Sequence, residues 1–455
     1  MSIQRFAELL LFSFLICGAA AAADSVSLQD AVQRAQGQDP WQQGSLLQQQ
    51  SLEAASVSAG SLPDPQISLG FANLPIDSYD FDQEAMTQFK VGVSQLFPRG
   101  QSLQLQQQRL ALLGAEQPHL RAERRARVGV VVSQLWLDAY LAKRTVQRIE
   151  DDRQLFEYLV DVAQSSYSSA TGKTRQQDLI RAQLELTRLD DRLTLLRQQQ
   201  ETALTTLAEW LGPDYSGART TDWQSATALV PVQVDDSMAD IPLHHEAVLL
   251  APGTIDVSWL AQQLLQHPVI LGLDQKIDAE SAGVAIAEQK YKPQWGVNAS
   301  YGYRDDAPDG MQRDDFFSMG ITFDLPLFTA QRQDKDVQSA QSRAESVKTD
   351  KWLALRSMRA RLETYRGQLL RLNQRRALYR DHLLLQMHDQ AEASLSAYTS
   401  DDGDFAEVVR ARIAELNANI DAMVLEVERL KLIAQLNYFF PEQPPAQLAA
   451  SEVSP

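Results

Sequence analysis

Four short segments of this 455-residue chain alternate apolar and polar side chains with a period of two. Ile67, Leu69 and Phe71 alternate with Ser68, Gly70 and Ala72, and Phe89, Val91 and Val93 with Lys90, Gly92 and Ser94. Further on, Trp295, Val297, Ala299, Tyr301 and Tyr303 alternate with Gly296, Asn298, Ser300 and Gly302. Phe317, Met319, Ile321 and Phe323 do the same with Ser318, Gly320, Thr322 and Asp324. The pattern predicts strands over about 66–73, 88–97, 294–304 and 316–325, each with one apolar face and one small or polar face. Strands covered by protein on both sides would be apolar throughout, so one face here meets water. A half-buried soluble sheet fits, and so does a barrel wall with lipid outside and water inside. Acidic loops, Asp77 to Glu84 and Asp305 to Asp315, separate the strands of each pair and belong in solvent.

The rest reads as helix. Residues 99–165 and 329–397 are rich in Gln, Leu, Ala, Arg and Glu, with Pro118 the only proline in either. A helix of about 65 residues is roughly 100 Å long at 1.5 Å per residue. Returning helices over about 175–211 and 404–438 carry an apolar 3-4 spacing. In the first it runs Leu179, Ala182, Leu186, Leu189, Leu193, Leu196, Gln200, Ala203, Leu207 and Trp210. In the second it runs Val409, Ile413, Leu416, Ile420, Met423, Val427, Leu430, Ala434 and Asn437. These are heptad seams and specify coiled-coil hairpins, with tips at about 166–176 and 398–405. Trp136, Trp210 and Trp352 read as core or seam residues. The Gln-rich run Gln101 to Gln108 suits a polar inner wall or a solvated outer face equally.

The whole pattern occurs twice. Pro40 and Pro268, Pro65 and Pro293, and Pro98 and Pro326 each lie 228 positions apart. Pro40 is taken to close the run that starts at Ser27, and Pro268 the run that starts at Val257. A repeat of this size implies two structurally equivalent halves, 24–212 and 256–441, rather than a solenoid of short units. Residues 213–255 link them and contain His244-His245; the tail 442–455 is expected to be disordered.

The chain opens with a charged start at Arg5, a short apolar core from Leu9 to Ile16, and Ala21-Ala22-Ala23 before Asp24. Residues 1–23 therefore read as a secretory signal peptide. Cys17 is the only cysteine, and cleavage after Ala23 leaves no disulfide or thiolate metal site. Lipid attachment at Cys17 needs a small residue before it, and Ile16 is not small. No later stretch of about 18 residues is apolar enough to cross a membrane as a helix. A net charge of −17 excludes nucleic acid as a partner. No nucleophile–base set or metal triad appears, so neither an enzyme nor a cofactor is expected. His244-His245 read as linker residues. His382 and His388 are six apart, off a common helical face, and read as structural or surface residues beside Met387.

Two strands followed by a long helical hairpin, twice over behind a signal peptide, resembles the TolC family of outer-membrane efflux ducts. The resemblance covers nearly the whole mature chain. Leu62-Pro63-Asp64-Pro65-Gln66-Ile67-Ser68-Leu69-Gly70 with Asn73-Leu74-Pro75, and then Ser94-Gln95-Leu96-Phe97-Pro98, is similar to the heavy-metal branch with CusC-like and CzcC-like ducts. The resemblance implies a mixed α and transmembrane β fold in a homotrimer. Its β-barrel has four strands from each chain, and a long periplasmic α-helical barrel of coiled-coil hairpins continues it. Four strands cannot close a barrel in hydrocarbon; three copies give about twelve, enough for an aqueous lumen. It further implies the outer membrane of a Gram-negative bacterium, a periplasmic adaptor, and an inner-membrane pump of the RND type. The implied cargo is heavy-metal cations such as copper/silver or cobalt/zinc/cadmium. Organic drugs are the alternative cargo, and a periplasmic coiled-coil scaffold the alternative of another class.

In the family, acidic rings narrow the duct at the hairpin tips. Its Asp-x-x-Asp-Ala pattern falls on Asp178-Leu179-Ile180-Arg181-Ala182 and on Glu407-Val408-Val409-Arg410-Ala411. The first acid is present each time; Arg181 and Arg410 replace the second. An acid–Arg pair three apart stabilises a helix start by a few tenths of a kcal/mol. A threefold carboxylate ring would instead bind cations in a narrow pore. Asp401, Asp402 and Asp404 add charge at the second tip.

Overall fold

The computed structural model of the chain describes residues 25–168, 175–212, 231–400 and 404–441. The expected signal peptide, the tail 442–455, Gly172, Asp401, Asp402 and Gly403 lie outside the described residues. Ser25–Val26 (β1) leads into helices Leu28–Gln38 (α1) and Pro40–Ala59 (α2). Strands Gln66–Ala72 (β2) and Gln88–Phe97 (β3) follow, then one helix from Ser102 to Ser168 (α3) and its return, Gln176–Trp210 (α4). Strand Gln233–Val234 (β4) pairs in parallel with β1, and a single helical turn, Glu246–Leu249 (α5), comes next. Helices Val257–Leu265 (α6) and Pro268–Gln289 (α7) precede strands Trp295–Tyr303 (β5) and Phe316–Phe323 (β6). The second long helix is Gln333–Leu378 (α8), a π-helical turn at Tyr379–Leu383, and Leu384–Thr399 (α9). Phe405–Asn437 (α10) returns.

Strands and long helices lie within a few residues of the expected bounds. Helices α1, α2, α5, α6 and α7 were not expected at all. Pro40 and Pro268 do not close segments; each opens a helix, α2 and α7. A first-turn residue needs no intrahelical donor, so the missing N–H of proline costs nothing there. Helix α1 buries Leu28, Ala31 and Ala35, and Ser27 caps it by accepting the Asp30 N–H at 3.2 Å. The π-helical turn inside the second long helix was not expected either.

By contacts, the chain divides into two units. One comprises the described residues of Met1–Asp39, Val128–His244 and Arg366–Leu436. Its core joins four helices: Val146, Ile149, Phe156, Leu159 and Ala163 of α3 meet Ala182, Leu189 and Leu193 of α4 and Val409, Leu416 and Ile420 of α10. From α9, Leu395 and Tyr398 pack against it. The seam residues read from the heptads are thus the interior of one chain. Charged pairs stitch the outside: Arg153 to Asp190 at 2.8 Å and Arg197 to Glu150 at 2.6 Å bridge α3 and α4. Arg412 to Glu392 at 2.6 Å bridges α10 and α9. Trp136 is buried, stacks on Tyr140 and donates its indole N–H to the Val26 carbonyl at 2.8 Å.

The other unit comprises Pro40–Arg127, His245–Tyr365 and the described part of Asn437–Pro455, and holds the four-stranded sheet. Trp352 belongs to it and, against expectation, is 73% exposed. Ion pairs Arg109–Glu280 at 2.9 Å and Lys351–Asp274 at 2.5 Å tie α7 to the two long helices. At the start of α7, His267 is buried. Its Nδ1 accepts the Val269 N–H at 3.2 Å and its Nε2 donates to the Tyr438 carbonyl at 3.0 Å, which fixes one neutral tautomer. Burial pushes the imidazole pKa below its ordinary value. Beside it, burial and the Glu123 carboxylate, which accepts the Tyr438 hydroxyl at 3.0 Å, raise that phenol to about 12.

Two predictions follow from this packing. Leu193 is 2% exposed, so Leu193→Ala should cost about 2–5 kcal/mol and Leu193→Asp should prevent the helical unit from folding. Wild-type helicity and melting of Leu193→Asp by circular dichroism would show the core to be elsewhere. His267 should make stability fall with acidification. As pH drops below about 6.5, the unfolded chain takes up a proton that folded His267 refuses, and the contribution is lost through the depressed folded pKa. His267→Asn keeps an N-cap acceptor and should melt lower at pH 7.5 yet lose less on going to pH 5.5 than wild type. His388, raised by its hydrogen bond to Glu415, acts in the opposite sense but is common to both proteins and cancels.

Candidate functional site: the sheet wall and the hairpin tips

The sheet runs β2-β3-β5-β6, antiparallel throughout. Register places Ile67 opposite Val93, Leu69 opposite Val91, and Phe71 opposite Phe89. It continues with Val91 opposite Tyr301 and Phe97 opposite Trp295, then Val297 opposite Ile321 and Tyr301 opposite Phe317. Every apolar residue of the four alternations therefore falls on one face. That face is largely uncovered: Ile67, Leu69, Phe317 and Met319 are 67–75% exposed. A continuous apolar surface of this extent marks contact with something other than water.

The opposite face carries Ser68, Gly70, Gly92, Ser94, Asn298, Ser300, Gly302, Ser318, Gly320 and Thr322. Lys90 is the one charged side chain on it within the described strands, and both of its cross-strand neighbours, Gly70 and Gly302, lack side chains. Two of the glycines make room for neighbours: a Cβ at Gly92 would lie 2.5 Å from the Ser68 hydroxyl, and one at Gly320 2.6 Å from the Asn298 amide oxygen. Aromatic rings collect at both ends of the apolar face. Trp295 packs on Phe323 at 5.1 Å at one end, and Phe71 on Phe89 at 5.3 Å at the other. Outer strands β2 and β6 each pair along a single edge.

At the loop end, Arg304 donates to the carbonyls of Asp314 at 2.7 Å and Ala85 at 3.0 Å and stacks over Phe316. Arg313 donates to the Asp82 carbonyl at 3.0 Å. Two arginines thus fasten both acid-rich loops. At the helix end, Arg99, read from sequence as the start of a helix, is a clamp. It donates to the carbonyls of Lys290 at 3.3 Å and Lys292 at 2.8 Å and pairs with Asp324. Asp324 also accepts the Gln294 N–H at 2.7 Å; this bond, then Arg99, holds its carboxyl below the usual range. A charged residue terminating the apolar–polar alternation at 324 was the available signal.

At the tips, the acids have separate tasks. Asp178 is 5% exposed, and its carboxylate accepts the Arg175 N–H at 3.0 Å, closing the first turn of α4. Arg181 is exposed. Asp404 is exposed and begins α10, its carboxylate accepting the Ala406 N–H at 3.1 Å and its carbonyl the Glu407 N–H at 3.0 Å. Glu407 pairs with Arg410 at 2.7 Å, both ends open to solvent. The structure therefore brings Glu407 and Arg410 together and turns Asp178 onto the backbone. His245 packs edge-on to Trp259 and Phe440, and His388 reaches Glu415 at 2.7 Å. Among the described residues no helix is long and apolar enough to cross a membrane.

No protein-family model matches this chain, and no curated protein matches it in sequence. Solved structures do match. The CmeC outer-membrane channel of Campylobacter jejuni superposes with a TM-score of 0.73 at 11% identity, over 93% of this chain and 89% of that one. CusC, described in terms of folding and transmembrane channel formation, gives 0.70 at 14% identity, over 92% and 93%. The outer-membrane protein VceC of Vibrio cholerae gives 0.68 at 14% identity, over 91% and 96%. The chain has the fold of these outer-membrane channel proteins over more than nine-tenths of its length.

Proposed function

We propose that this protein is an outer-membrane channel, the passive exit duct of a tripartite efflux system. The observation that carries the reading is the sheet, which sorts lipid-compatible side chains to one face and water-compatible ones to the other. Such a sheet cannot sit in hydrocarbon alone, because backbone groups on the outer edges of β2 and β6 would lack partners there. Joining β6 of one copy to β2 of the next closes a barrel of about twelve strands from three copies. A periplasmic adaptor and an RND-type inner-membrane pump complete the system. The fold shared with the CmeC and CusC channels supports the reading. Purified protein should be trimeric in detergent and give channel currents in planar bilayers. A monodisperse soluble monomer would point to a periplasmic scaffold instead.

For cargo, the segments Leu62 to Gly70 and Ser94 to Pro98 favour heavy-metal cations over organic compounds. Deleting the gene should then sensitise the host to copper, silver, cobalt, zinc or cadmium; sensitivity confined to organic drugs would reassign the cargo.

The tips are the proposed gate. Threefold symmetry sets three copies of Glu407 and Asp178 about one axis, with Arg181 and Arg410 beside them and Asp401, Asp402 and Asp404 near the second tip. Neutralising both acids (Glu407→Gln with Asp178→Asn) should lower cation selectivity and weaken block by multivalent cations in single-channel recordings. Asn still accepts the Arg175 N–H, and the exposed Glu407–Arg410 pair is worth at most about 1 kcal/mol, so folding should be kept. Unchanged selectivity would assign these acids to helix termini and leave the gate to Asp401, Asp402 and Asp404.

A further inference from the structure

The two strand-to-helix connections at the feet of the sheet differ. In the first half, residues 98–101 turn directly from β3 into α3. In the second, residues 324–332 intervene between β6 and α8 and carry Leu325, Leu327 and Phe328, which are 60%, 73% and 90% exposed. Three large apolar side chains in one short loop cannot be left to water without cost, since each full burial is worth about 1.5–3 kcal/mol. The loop is built to hold them out. Asp324 fixes one foot through Arg99 and the Gln294 N–H. The Leu327 N–H closes back on the Leu325 carbonyl at 2.9 Å. At the other foot the Arg332 and Asp334 N–H groups both donate to the Thr329 carbonyl at 3.1 Å.

Cations flank this hook. Tyr291 and Lys290 reach Asp334 and Asp336 at 2.6 and 2.7 Å, which draws residues 290–292 alongside the start of α8. With Asp336 engaged by Lys290 and Asp324 by Arg99, exposed Lys292 and Arg332 make no ion pair among the described residues. Trp295, three residues past Lys292, and Phe323, two before Leu325, form the aromatic pair at this end of the sheet. Apolar anchors next to exposed cations and an aromatic girdle match one surface chemistry, hydrocarbon bordered by phosphate.

We infer that residues 325–328 form a membrane hook: Leu325, Leu327 and Phe328 enter the acyl region of the inner leaflet, and Lys292 and Arg332 bind the phosphates of anionic phospholipid. This rests on the barrel reading, and the test separates the two. In a Cys17→Ser background, a polarity-sensitive dye is placed at Phe328→Cys, at Ile321→Cys on the apolar face, or at Met311→Cys in an acidic loop. Each protein is reconstituted into phosphatidylethanolamine vesicles containing phosphatidylglycerol, with doxyl groups on the lipid. Lipid should quench dyes at 321 and 328 and spare the dye at 311. Quenching at 328 by doxyl-phosphatidylglycerol over its phosphatidylcholine counterpart should fall roughly fivefold for each of Lys292→Gln and Arg332→Gln. If 321 is quenched and 328 is not, whether open to water or covered by a second copy, the barrel stands and the hook is refuted. If neither is quenched, both readings fail. Quenching at 328 without preference for the anionic lipid would refute the phosphate site.

Discussion

A backbone that enters hydrocarbon must satisfy every N–H and C=O within itself, and most of what is distinctive here descends from that requirement. Four strands satisfy it internally and leave two outer edges. Helices cannot relieve the shortage, because none among the described residues is apolar enough to sit in lipid. In the proposed barrel, copies of the same chain supply the missing partner. Because side chains leave a strand alternately to either side, closing the edges in the proposed barrel would also fix which residues meet lipid and which meet water. Slipping β2 by one residue against β3 would put Ser68 and Gly70 on the apolar face, while Lys90 stayed on the polar one.

This is why the strands were legible in the sequence. One face of the sheet is apolar and the other small or polar, and the period of two runs from Phe89 to Val93 and from Trp295 to Tyr303 almost without exception. Long helices were legible for a related reason: a 3-4 seam such as Leu189, Leu193 and Leu196 has one packed side. The helices α2 and α7 escaped because Pro40 and Pro268 were weighed as breakers, when a proline at the first helical position is compatible with everything after it. The π-helical turn at Tyr379–Leu383 escaped for a different reason. One additional residue in a turn alters neither composition nor hydropathy, and only the hydrogen-bond partner of each N–H records it.

The tips mark the limit of reading function from residue type. Asp178 and Glu407 occupy corresponding places in the pattern and look alike as acids near a glycine. In the folded chain one carboxylate is turned inward onto the Arg175 N–H, while the other lies on the surface against Arg410. Which backbone donor stands nearest an acid is decided by the path of the chain through the turn, and no spacing rule contains that information. Seam residues teach a similar lesson. Leu193 reads equally well as an intersubunit and an intrachain contact until its neighbours Ile149, Phe156 and Ile420 are known to belong to the same molecule.

The polar face of the sheet has an implication for transport. Its serines, glycines, threonine and asparagine offer hydroxyls, an amide and bare backbone, with a single ammonium at Lys90. Passage through a pore is fast only where binding is weak enough to let a solute go. In the proposed barrel this face would line the bore, and among the described strand residues it carries no carboxylate and no ring of soft ligands to hold a solute. Recognition is then left to whatever loads the duct. On the proposed reading such a wall would contribute an absence of friction, and a solute once inside would leave as readily as the water that accompanies it.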